Sequence, residues 1–147
     1  MSAVAKRSEE LSPVARETRE KILELERRCM ALPADQRFHQ IPVTHHFTPG
    51  IYVRTCFMKQ GELIIGKIHK LEHTVIISKG RARVASEEFG EALIEAPMVF
   101  NSPPGVKRTL LIEEDMIWST VHPNPTNTRD LSVLEEQLIM KSYEEDV

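Results

Sequence analysis

The chain has 147 residues, and 19 Lys and Arg against 22 Asp and Glu leave a net charge of −3. That length suits one domain, and the acidic balance excludes a dominant basic footprint for DNA or RNA, so no nucleic-acid partner is expected. No run of about 18 apolar residues offers a membrane span, and Met1 to Arg7 lacks the apolar stretch of a secretory signal.

Residues 1–40 read as a helical extension. Ser12-Pro13 is a helix start, with Ser as cap and Pro at the first helical position. Val14, Thr18, Ile22, Leu25, Cys29 and Leu32 then recur at steps of three and four, which places them on one stripe of a helix that Pro33 stops. This amphipathic stripe wants a partner surface, either its own domain or a second copy in a homodimer. Cys29 and Cys56 make neither a disulfide framework nor a CxxC metal pair. They read as reduced thiols of a cytoplasmic protein.

Residues 41–125 read as strands. The candidates are 52–59, 63–69, 73–78, 81–86, 92–95, 98–101, 107–113 and 116–122, rich in Val, Ile and Thr. Gln60-Gly61, Lys79-Gly80, Phe89-Gly90, Pro103-Pro104-Gly105 and Glu114-Asp115 separate them as turn signals. Short strands at this spacing, with no long helix between, argue for an all-β sandwich or barrel. In residues 126–147, Leu131, Leu134 and Leu138 mark a short helix capped by Asp130 or by a Ser132/Glu135 box. Ser142 to Val147 reads as a frayed acidic tail.

The chemistry concentrates in residues 66–80. In an unbroken strand Lys67, His69, Leu71, His73, Val75 and Ile77 share one face, so two imidazoles would look into the interior if the apolar end does. Two converging imidazoles are candidate metal ligands. Polar side chains bonded to backbone or water at a strand junction are the plainer reading.

This stretch resembles the first motif of the cupin superfamily, a Gly, a His-x-His, a Glu and a closing Gly. Gly80 matches the closing Gly, His73 falls at the Glu position, His69 at the second His and Lys67 at the first. Pro103-Pro104-Gly105 matches the Pro-x-Gly of the second motif, with Arg108 where its His should stand. The look is that of small single-domain cupins of bacterial and phage genomes. The resemblance implies a cupin-like antiparallel β-barrel (jelly roll), here with an N-terminal amphipathic helix and a short C-terminal helix.

In that family three His and one Glu hold Fe, Mn, Ni, Zn or a similar divalent ion. Here His69 and His73 survive at those positions, and His122, at the end of a neighbouring strand, is the first choice for a third ligand. Glu72 could join only if the strand breaks near Leu71, and His45 or His46 could reach the mouth.

Three functions follow. One is a small-molecule-binding, metal-dependent cupin of dioxygenase or isomerase type. A second is a non-enzymatic barrel that binds an anionic metabolite or nucleotide through Lys67 and Arg108, with Arg54, Tyr52 and Trp118 lining the pocket. The third is a structural or regulatory oligomerisation module built on the N-terminal helix. No carboxylate is clearly placed for acid–base work, so catalysis itself stays open.

Overall fold

The computed structural model describes residues 2–36 and 41–146. Residues 37–40, the end of the region expected to be helical, lie outside it. Two helices precede the sheet, α1 (Ala3–Glu10) and α2 (Pro13–Met30). Their caps are side chains: Ser2 Oγ accepts from the amide of Ala5 and Ser12 Oγ from that of Ala15. The α1 helix lies within the region expected to be helical, as a separate element before the Ser12-Pro13 start. The buried stripe of α2 runs through Ala15 and Ile22, whereas Val14 is 71% exposed and Leu32 lies beyond the helix end. The expected stripe is therefore rotated by one residue at its start and shortened at its end.

The strands are β1 (Val43–Thr48), β2 (Gly50–Met58), β3 (Leu63–Ile65), β4 (Ile68–His69), β5 (His73–Ser86), β6 (Gly90–Glu95), β7 (Met98–Ser102), β8 (Arg108–Asn124) and β9 (Ile139–Met140). Helix α3 (Leu131–Leu138) precedes β9, and Asp130 is its cap, its carboxylate accepting from the amide of Ser132. All pairings are antiparallel. Strands β5 and β8 are long and pair with each other almost throughout. Near His73–Ile77 they are flanked by β7 on one side and by β2 and β1 on the other. Near Ala82–Ser86 they are flanked by β6 and β3. One continuous pair of strands thus serves both halves of an open roll.

Among the described residues the roll is open, with β1 and β6 as edges of the seven-stranded sheet. One expectation is corrected here. Lys79-Gly80 and Glu114-Asp115 are bends rather than hairpin turns. They face each other across the β5–β8 ladder, where its register shifts, so both strands kink together. Gly80 has φ +92°, and a Cβ there would lie 2.3 Å from the Asp115 carbonyl oxygen. Only glycine fits that crossing.

The main core fills the space between the halves: Met58, Val75, Ile77, Ala82, Val84, Ile94, Leu110, Ile112, Met116 and Trp118. Buried ions fasten the N-terminal helices to the outside. The Glu87 side chain, 1% exposed, receives Arg7 at 2.6 Å and Arg19 at 2.8 Å, and Lys107 meets Glu26 at 2.8 Å. The end of the chain is not loose at Tyr143: its hydroxyl donates to the Gly105 carbonyl at 2.6 Å, and Arg19 lies 3.8 Å over its ring. Among the described residues no helix is long and apolar enough to cross a membrane.

Candidate functional site

The sheet's inner face forms the site by simple alternation. On β2 the residues Tyr52, Cys56 and Met58 are buried with Arg54 between them in the same phase, and on β8 the matching set is His122, Thr120, Trp118 and Met116. Register pairs Tyr52 with His122, Arg54 with Thr120 and Cys56 with Trp118. Thr74 pairs with Val121, so His73 comes next to His122 one step beyond. Two imidazoles are thereby neighbours on adjacent strands.

His69 reaches them by another route. The strand breaks after it, Leu71 is 44% exposed and Glu72 is exposed outside the cavity. The separate strands expected at 63–69 and 73–78 are thus divided here, and the condition of an unbroken strand from Lys67 to Ile77 is not met. The C-terminal segment holds His69 instead: Ile68 and His69 pair with Met140 and Ile139, and Lys70 N–H donates to Leu138 O. The Gly105 amide donates to the His69 carbonyl at 2.8 Å.

The three rings meet. Their centroids are 4.2 Å apart for His69 and His73, 5.0 Å for His73 and His122, and 5.3 Å for His69 and His122. With metal–nitrogen bonds of about 2.1 Å, rings bound at right or tetrahedral angles have centroids about 4.5–5.2 Å apart. The His73–His122 spacing falls in that range, and the other two lie just outside it. Protonation suits a shared ion. Burial, then the neighbouring imidazoles, pull His69 down to about 2. Burial and His73 pull His122 to about 4, and burial also lowers His73. All three are neutral at pH 7, as metal ligands must be.

Hydrogen bonds select the tautomers. The Leu71 carbonyl can only accept, so His73 Nδ1–H donates to it at 3.2 Å and leaves Nε2 as a lone pair. Thr120 Oγ1 donates to the Arg54 carbonyl at 3.4 Å and lies 2.9 Å from His122 Nε2, which then carries its proton and leaves Nδ1 free. As they stand, the described residues include no group of three or more His, Cys, Asp or Glu donors arranged to hold an ion.

The cluster lies on the wall of a cavity of about 900 Å³, within the range of small-molecule sites. All eight residues singled out in the sequence line it: Tyr52, Arg54, Lys67, His69, His73, Arg108, Trp118 and His122. Their states differ. Lys67 is at the exposed rim, 2.8 Å from Glu135. Arg108 is buried, 2.5 Å from Glu88 and 2.9 Å from Ser102 Oγ. Trp118 packs edge-on against Phe100 at 5.9 Å. Tyr52 Oη is 2.6 Å from His45 Nδ1, and its ring stacks on His122 at 5.8 Å. His46 faces the other way and meets Thr44. Leu134 and Leu138 of α3 pack on Tyr52 and cover one side.

Sequence reasoning missed Thr120, Glu88 and the α3 wall. Thr120 was within reach, since it lies between Trp118 and His122 in the same alternating phase. Glu88 gave no signal, because the tertiary fold alone brings the β5–β6 turn over Arg108.

No family model and no curated protein sequence matches the chain. Solved structures do match. An RmlC-like cupin family protein from Methanocaldococcus jannaschii, with a double-stranded beta-helix fold, is 16% identical; the match covers 61% of this chain and 90% of that one at a TM-score of 0.46. A cupin-2 domain containing protein from Shewanella frigidimarina is 12% identical, covering 59% and 85% at 0.45. A cupin superfamily protein from Desulfitobacterium hafniense is 10% identical, covering 65% and 85% at 0.48. Identities this low concern the fold alone. The chain is similar in outline to these cupin structures.

Proposed function

We propose that the cavity binds a small molecule and that His69, His73 and His122 hold a divalent transition metal beside it. One observation carries this reading: three imidazoles, those of His73 and His122 buried and that of His69 half-buried, stand within 5.3 Å of one another, ring to ring, on the wall of a large cavity. An Fe, Mn, Ni or Zn ion would supply Lewis-acid polarisation or open positions for oxygen, as dioxygenase or isomerase chemistry needs.

The chain's own residues orient and protect the centre. The Leu71 carbonyl fixes the His73 tautomer, and Thr120 fixes that of His122. Tyr52 keeps its proton, because burial raises its hydroxyl above the usual phenol value. That proton sits at the cavity wall, in contact with the exposed ring of His45. The rival reading, a non-enzymatic barrel that takes an anion on Lys67 and Arg108, has less support, since each already has a carboxylate partner.

The test is elemental analysis after loading with Fe, Mn, Ni or Zn, alongside titration calorimetry. We expect about one equivalent of one metal in the native chain, and loss of at least about tenfold in affinity in His73→Ala and His122→Ala. Under about a tenth of an equivalent of every metal, in folded protein, would sink the reading.

A further inference from the structure

We infer that Arg54 anchors the carboxylate of a small, largely apolar monocarboxylate inside the cavity. The inference rests on the cavity being a small-molecule site, and it does not require the metal.

Charge accounting isolates this residue. Three Lys and Arg side chains line the cavity: Arg54, Lys67 and Arg108. Lys67 is matched by Glu135, and Arg108 by Glu88. Arg54 takes part in none of the ion pairs among the described residues. Its side chain donates from Nη1 to Cys56 Sγ at 2.9 Å. A thiol is a weak acceptor with no charge, and burial raises the Cys56 thiol further from ionisation. Glu135 feels the field of Arg54, but its carboxylate is bonded to Lys67. The wall therefore carries one uncompensated positive charge, on a half-buried side chain.

Position and shape then give the ligand class. Arg54 is opposite Thr120 in the β2–β8 ladder, one diagonal step from His122. Such diagonal neighbours have Cβ atoms about 7–8 Å apart. A carboxylate gripped by the guanidinium thus puts the adjoining carbons beside the imidazole cluster. The cavity wall also includes apolar side chains, among them Trp118, Leu110, Ile64 and Leu134. A planar guanidinium matches a carboxylate bidentately. One free positive charge suits a monoanion. A phosphate dianion would want a second unpaired basic side chain, and the other two on the wall, Lys67 and Arg108, already have carboxylate partners.

The test compares phenylacetate, its neutral analogue phenylacetamide and inorganic phosphate by calorimetry and thermal shift. The proteins are the native chain, Arg54→Gln and Arg54→Lys, with circular dichroism confirming the fold of each. We expect phenylacetate to bind the native chain best, Arg54→Gln to lose about 10- to 100-fold and Arg54→Lys to lose less. Phenylacetamide binding as tightly as phenylacetate, or unchanged phenylacetate binding in Arg54→Gln, overturns the role of Arg54 and leaves the cavity a binding site. Stronger binding of phosphate overturns the carboxylate class. No binding of any probe to the folded native chain overturns both this inference and the small-molecule reading. Metal content is measured separately, so the metal centre stands or falls on its own data.

Discussion

Arg108 and Glu88 form an ion pair of 2.5 Å whose side chains are only 7% and 12% exposed. It converts a residue that looked like an anion receptor into a structural one. Glu88 belongs to the turn between β5 and β6, so the pair also ties that turn to the start of β8.

Breaking this pair from one side should be costly. Glu88→Leu leaves the Arg108 charge buried and unmatched, and we expect a loss of about 3–5 kcal/mol in urea unfolding. The double variant Glu88→Leu/Arg108→Met should recover much of it. A single-variant loss below about 1 kcal/mol would show that the guanidinium finds water.

The docking of the N-terminal helices has a similar logic. Arg19→Ala removes one of two cations on the Glu87 carboxylate and the stack on Tyr143. We expect a loss of about 2–3 kcal/mol by urea unfolding, intermediate because Arg7 remains.

Acid should destabilise the metal-free protein through its histidines. Their folded values lie below the unfolded value of about 6.5, so the unfolded chain takes up protons first as pH falls. Stability is complete above that value and drops below it. The His122 contribution levels off near 4 and that of His69 continues toward 2. Each group adds a slope of up to about 1.4 kcal/mol per pH unit. Urea midpoints from pH 7 to 4.5 should fall, and His69→Phe should flatten the curve. An equal slope in that variant would contradict the buried, neutral state of His69.

Gly80 and Gly61 offer a matched comparison. Both have positive φ, +92° and +87°, but a Cβ at Gly80 would strike the Asp115 backbone, while none would meet an atom within 4 Å at Gly61. Gly61→Ala should cost about 1 kcal/mol, from backbone strain alone. Gly80→Ala should cost more than about 3 kcal/mol or prevent folding, since two strands must part. Similar midpoints for the two variants would refute the tight crossing.

Much of the architecture was legible because local rules carried it. Alternation on β2 and β8 placed Tyr52, His122 and Trp118 on one face, and Ser12-Pro13 and Asp130 marked helix starts. Gly80 and Gly105 announced themselves through backbone demands: Gly105, at φ +83°, has Val4 of α1 against it, 2.8 Å from where a Cβ would stand. What local rules could not supply was the partner across space. A kink shared by β5 and β8 looks like two turns when each strand is read alone.

The sequence by itself determined which side chains face inward, because a strand's period of two is written in the order of its residues. It also determined that Lys67 and Arg108 stand at two of the positions where the resembled motifs carry histidine. Only the tertiary structure decided that His69 arrives through pairing with the C-terminal strand, that Glu88 silences Arg108 and that Arg54 keeps its charge unmatched. The reason is physical: burial and charge balance depend on groups brought together from distant parts of the chain, and a one-dimensional pattern holds no record of those distances.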